Sequence, residues 1–312
     1  MKKNLIGIVD RQKDYEQVIK IMQWLELGMR AISIMYDEYS SDKNSKENIF
    51  RLKDNIAYRL ISAEHMYRLL LIEVGQAEQF LRDKEYGRNN IQFLAGSNPY
   101  MTVVEPKISA VFDSVVFNLV SVFDYISHII CYICKTQKSE TFYWTKLAKA
   151  VRNKNSDLGK SDTGPVVDQM DRDFVGKLYN YRSTLIHNHR EKHPFSIDHN
   201  LAKGTFNVKI LMTGVEMKDF KFIYKDHDEN DSFTLPFLAS CLIKTSAIFI
   251  EAILDSLYKD ISADSHYYHN IRGAKGMNRP VMLFVDPATN MGSPIYEQIW
   301  KQFKDANPFN AS

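Results

Sequence analysis

Between Ile108 and Lys135, apolar residues recur at spacings of three and four: Phe112, Val115, Val116, Leu119, Val122, Phe123, Ile126, Ile129 and Ile133. That period predicts an α-helix. Phe117, Val120 and Tyr125 cover part of its other side, so the helix is apolar on nearly every face. A helix of this kind lies at the centre of a bundle or is buried in a dimer, and the rest of the chain has to supply the cover. Asp113, Asp124 and His128 interrupt the stretch and argue against a membrane span. Asp113 and Asp124 are about three turns apart and share a narrow polar stripe, with His128 one turn further on.

The remaining sequence predicts a mainly α chain. A first helix spans about Asp14 to Asp37, followed by the polar loop Ser40 to Ser45. A long amphipathic helix begins near Lys46 and carries Phe50, Leu52, Ile56, Leu60, Ile61, Met66, Leu69 and Leu70. Gly87 to Pro106, with Gly96 and Pro99, reads as a loop-rich connection. A short helix is expected around Phe142 to Val151. Another runs from Val166 or Asp171 to His187 and is stopped at the latest by Pro194. Thr205 to Ile210 alternates, and Phe220 to Tyr224 is strand-like, which predicts a small β-hairpin inserted near 195–224. Pro236 to Lys259 is again strongly helical. Beyond Asp260 come a basic stretch from Arg272 to Arg279, a short strand at Val281 to Val285 and a closing helix from Ile295 to Phe303. The expected organisation is an N-terminal helical region (1–105), a helical bundle with the hairpin insertion (106–260) and a C-terminal extension packed on the bundle (261–312).

Charge and cysteine content narrow the setting. The formal net charge is only +2, so a nucleic-acid site has to come from local clustering. Three cysteines, an odd count with no disulfide-like framework, point to a reducing, cytoplasmic setting. Cys131 and Cys134 form a CxxC pair inside the most apolar helix and read as core residues, because zinc needs four ligands and one further Cys exists. The apolar run after Lys3 is too short for a signal peptide. Asp226 to Asp231 lacks the Gly and closing Glu of a calcium loop. His266 and His269, with Asp264, are too few for a metal site. Gly273 to Gly276 is not a phosphate loop. No metal, cofactor or membrane association is expected.

One cluster carries chemistry. Arg182 is followed by His187 and then His189 in the stretch Asn180 to Arg190, at the end of a predicted helix. A guanidinium holds a phosphate by paired N–H donors and keeps its charge; an imidazole moves protons near neutral pH. Arg182 and His189 lie nearly on one helix face. Arg182 and His187 diverge by about 140°, and converge on one site if a second copy of the helix packs alongside. Helix capping alone also favours cations here, where Arg190, Lys192 and His193 extend the cluster.

The Arg182/His187 spacing, at the end of a long helix preceded by an apolar helix with a carboxylate stripe, resembles the R-x4-6-H motif of the HEPN superfamily. The resemblance covers about Ile108 to Arg190, with Pro236 to Lys259 as a further bundle helix. It implies an all-α HEPN-like bundle and a metal-independent endoribonuclease acting as a homodimer, by attack of the ribose 2′-OH. Arg182 would bind the scissile phosphate and His187, with His189 as its competitor, would move the proton. Asp124 matches the polar residue that an earlier helix often places near the site, and Ser183, Arg190 and Lys192 would contact the RNA. Many such ribonucleases are toxins or phage-defence effectors, which implies an antitoxin or regulatory partner. Family members usually have Asn, Asp or His directly after the Arg; Ser183 can donate and accept but is a poor acid or base. The alternative is a non-catalytic HEPN-like module binding a nucleotide, an RNA or a protein.

Overall fold

The computed structural model describes residues 5–39, 48–83, 99–134, 142–187, 193–200, 205–212, 217, 220, 231–263, 283–285 and 292–310. The chain is mainly helical. Its long helices are α1 (Arg11–Tyr39), α2 (Ile49–Asp83), α3 (Pro99–Cys134) and α8 (Leu235–Ala263). Between α3 and α8 lie α4 (Trp144–Val151), α5 (Asp157–Lys160), α6 (Thr163–Met170), a π turn (Asp171–Val175) and α7 (Gly176–His187). Helix α9 (Ile295–Asp305) closes the chain.

The expected hairpin is present. Strands β2 (Phe195–Asn200) and β3 (Thr205–Ile210) pair antiparallel, from Phe195 opposite Ile210 to Asn200 opposite Thr205. Its first strand lies earlier than the sequence pattern placed it, because alternation is weak in Phe195 to Asn200. Phe220 is buried instead on the ring of Tyr181, centroids 5.0 Å apart; 221–224 fall outside the described residues. Two short ladders are added among the described residues: β1 (Leu5–Ile6) parallel to β4 (Ser232–Phe233), and β5 (Leu283–Val285) antiparallel to β6 (Gly292–Pro294).

Helix α3 starts at Pro99, well before the expected Ile108. Pro106 removes one main-chain donor from its interior at a cost of about 3 kcal/mol in an exposed helix. The burial of Met101, Val104 and Ile108 around it compensates. The motif helix likewise begins earlier: the path is helical from Thr163 through the π turn to His187.

Two compact units share the chain. Unit 1 comprises residues 1–18, 61–120 and 177–244; unit 2 comprises 19–60, 121–176 and 245–312. Each draws one stretch from α1, α2, α3 and α8. In unit 1, Tyr67, Phe112, Val115, Leu119, Leu178, Tyr181 and Phe233 are fully or almost fully buried. In unit 2, Ile21, Leu25, Phe123, Trp144, Phe174 and Phe303 are likewise buried. By length and composition α3 and α8 are apolar enough to cross a membrane, but 61% and 56% of their most apolar windows are buried inside the protein. They are the core helices that the periodicity called for.

Candidate functional site

The motif lies at the C-terminal end of α7, in unit 1. Leu178 and Tyr181 anchor this helix in the core, while Ser183, Thr184, Ile186 and His187 are exposed. Arg182 is half-buried between these two sets. Its guanidinium lies over the ring of Phe117 on α3, 5.7 Å from the centroid. Its Nε is fully buried and has no hydrogen-bond partner among the described residues. An unsatisfied buried donor on a charged group is costly. Arg182 is therefore a half-buried cation held on an aromatic face.

His187 is the last residue of α7 and is solvent-exposed. His189, Arg190 and Lys192 lie outside the described residues. His193 does not extend the exposed basic cluster. It is buried beside α3, where its backbone N–H donates to Glu105 Oε1 (3.1 Å) and its Nδ1 lies 2.9 Å from Ser109 Oγ. Ser109 gives its one proton to Glu105 Oε1 (3.0 Å), so His193 Nδ1 is the donor to Ser109. A buried carboxylate draws this histidine inward, and Glu105, next to Pro106 in what reads as a loop, carries no local mark of that burial. The anchor ties the chain leaving the motif back to α3. His193 meets Glu105 and Ser109 while Tyr181 meets Phe112 and Asp113, so this part of the chain runs antiparallel to α3.

The two acids of the α3 stripe have different partners. Asp113 accepts from Tyr181 Oη of α7 at 3.1 Å. Asp124 accepts from the backbone N–H of Trp144 at 3.3 Å and so caps the start of α4, in unit 2. Asp113, bonded to Tyr181, the residue just before Arg182, is thus the carboxylate engaged with the motif helix; the even spacing of the stripe did not distinguish the two. Among the described residues, no group of three or more His, Cys, Asp and Glu side chains is placed to hold a metal ion. The pair His266 and His269, the acidic stretch from Asp226 and the segment Gly273 to Gly276 fall outside the described residues.

No protein-family model, curated protein or solved structure matches this chain. The site therefore has to be read from its own chemistry.

Proposed function

We propose that the chain is a metal-independent endoribonuclease of HEPN type, cytoplasmic and homodimeric, serving as a toxin or phage-defence effector. One observation carries the reading. Arg182, an obligate cation, is half-buried on Phe117 with its Nε unpaired among the described residues, five positions before an exposed His187 at a helix end. In this reading Arg182 takes the scissile phosphate, with its planar donors on the non-bridging oxygens. His187 removes the proton of the ribose 2′-OH or delivers one to the leaving 5′-oxygen. Asp113 fixes Tyr181 next to Arg182 in sequence and so sets the rotation of the motif helix. On a single helix Arg182 and His187 diverge, so the site is completed by the motif helix of a second copy.

Purified protein is to be incubated with total RNA and with tRNA, with and without EDTA, beside Arg182→Ala and His187→Ala. Wild type should cut in both conditions. Removal of one charge-stabilising or proton-carrying group should slow cleavage by about 10²–10³-fold in each variant. Equal cutting by all three proteins would mark a contaminant and end the claim. Ser183 favours a second reading, a non-catalytic module that binds RNA or a nucleotide through Arg182. Tight binding without cleavage by wild type would select it.

A further inference from the structure

A second feature of unit 2 has no part in that site. Tyr143 stands just before α4 with its side chain 66% exposed. Large exposed aromatics are usually mobile, but this one is fixed on both flanks. Ser127 Oγ donates to the carbonyl of Phe142, and the N–H of Trp144 donates to Asp124 Oδ1 at 3.3 Å. Trp144 itself is fully buried, edge-on to Phe123, with its indole N–H on Asp171 Oδ1 at 3.0 Å. Tyr143 therefore cannot turn inward.

Two further rings continue from it. His128 lies 5.9 Å from Tyr143, and Tyr125 lies 6.0 Å from His128, centroid to centroid. Both belong to α3 and both are partly exposed. Along α4, Lys146 and Lys149 follow Tyr143 at three-residue intervals, and both are exposed. Among the described residues, Arg152 bonds Asp168 at 2.8 Å and Asp171 at 2.6 Å, and Lys146 lies over the ring of Phe142, 4.6 Å from its centroid. The surface thus combines three adjacent rings, inclined to one another by 52° and 81° so that each offers its own face, with lysines one helical turn apart.

We propose that Tyr143, His128 and Tyr125 form a stacking platform for the bases of single-stranded RNA, with Lys146 and Lys149 on its phosphates. Each base has a π face, so such a platform holds a strand without reading its sequence, and the lysines add salt-dependent affinity. Duplex RNA keeps its bases stacked within the helix and is excluded from the rings. The proposal rests on the ribonuclease reading for its choice of RNA, but its test does not require cleavage.

The probe is a dye-labelled 2′-O-methyl oligouridine, which lacks the free 2′-OH and is not cut by 2′-OH attack. Its binding to the full chain is followed by fluorescence anisotropy. Tyr143→Ala should weaken binding by about tenfold, whereas Tyr143→Phe, which keeps the ring, should bind as wild type does. Lys149→Ala should lower the slope of log affinity against log salt by about one. A labelled 2′-O-methyl duplex should bind more weakly than the single strand. Unchanged affinity in Tyr143→Ala, an equal loss in Tyr143→Phe, or preference for the duplex would overturn the platform. A wild-type chain that holds the strand through Tyr143 yet cuts no natural RNA supports the platform and sinks the nuclease reading.

Discussion

A guanidinium N–H buried without a partner costs about 1–3 kcal/mol, and Arg182 Nε has none among the described residues. On the ribonuclease reading that cost is set against phosphate binding and not against stability. Arg182→Met should leave the fold intact and raise stability slightly in urea, while abolishing cleavage; a loss of several kcal/mol would show that Arg182 is structural. Asp124 is a different case. Asn at this position can still accept from the Trp144 N–H, so Asp124→Asn should change stability by less than about 0.5 kcal/mol. Because its bond goes to α4, the same variant should cleave RNA at the wild-type rate, whereas a large loss would return Asp124 to the catalytic set. The placement of Arg182 and His187 at a helix end was legible in the sequence because their spacing is short and local; His189 lies outside the described residues. The partners of Asp113, Asp124 and Glu105 were not legible, because each lies between about 20 and 90 positions away along the chain.

At the scale of the element, the apolar periods were read, while the caps, which set the starts of α1 and α2 at Arg11 and Ile49 and not near Asp14 and Lys46, were missed. Asp10 accepts from the N–H of Lys13, and Asn48 from that of Phe50, at 3.0 and 2.8 Å, so α1 and α2 carry their own N-caps. The apolar period of α1, α2, α3 and α8 was visible in the sequence. By contrast, the start of α6 is held by Asp260 of α8, which accepts from the N–H groups of Asp162 and Thr163 at 2.7 and 3.0 Å. Ser161 adds a local cap, its Oγ accepting from the Gly164 N–H at 3.1 Å, a signal that the expected start at Val166 or Asp171 left unused. Gly28 shows the same limit. It looks like a weak point in α1, yet a Cβ there would lie 2.8 Å from both Leu254 Cδ1 and Phe303 Cε2. Phe303 is fully buried and stacked on Trp24, centroids 4.9 Å apart, so its ring cannot yield. Gly28→Ala should therefore lower stability in urea by about 1–2 kcal/mol, overpacking outweighing the gain in helix propensity of about 1 kcal/mol. A more stable variant would contradict the close packing of α1 on Leu254 and Phe303.

For the whole molecule, buried acids set an alkaline limit. Burial pushes the Cys241 thiol from 9.0 up to about 11, and burial together with Asp14 raises the Tyr67 hydroxyl well above 10.0. Both groups hold their protons more tightly folded than unfolded. Their contribution is complete below the ordinary values of 9.0 and 10.0 and is lost as pH rises through the folded ones. The melting temperature should thus be level from pH 7 to 8.5 and fall between pH 9 and 11, and Cys241→Ala should flatten the early part of that fall. A melting temperature that stays level through pH 11 would contradict this. The ribonuclease reading makes its sharpest demand on the products. A labelled single-stranded RNA is cut with the purified protein in EDTA, and the new ends are identified by mass spectrometry. Attack by the 2′-OH leaves a 2′,3′-cyclic phosphate, or its hydrolysed monophosphate, on one fragment and a 5′-hydroxyl on the other, with no such products from Arg182→Ala. Fragments ending in 3′-hydroxyl and 5′-phosphate, or cyclic-phosphate ends formed equally by Arg182→Ala, would contradict the assignment of this chemistry to the α7 site.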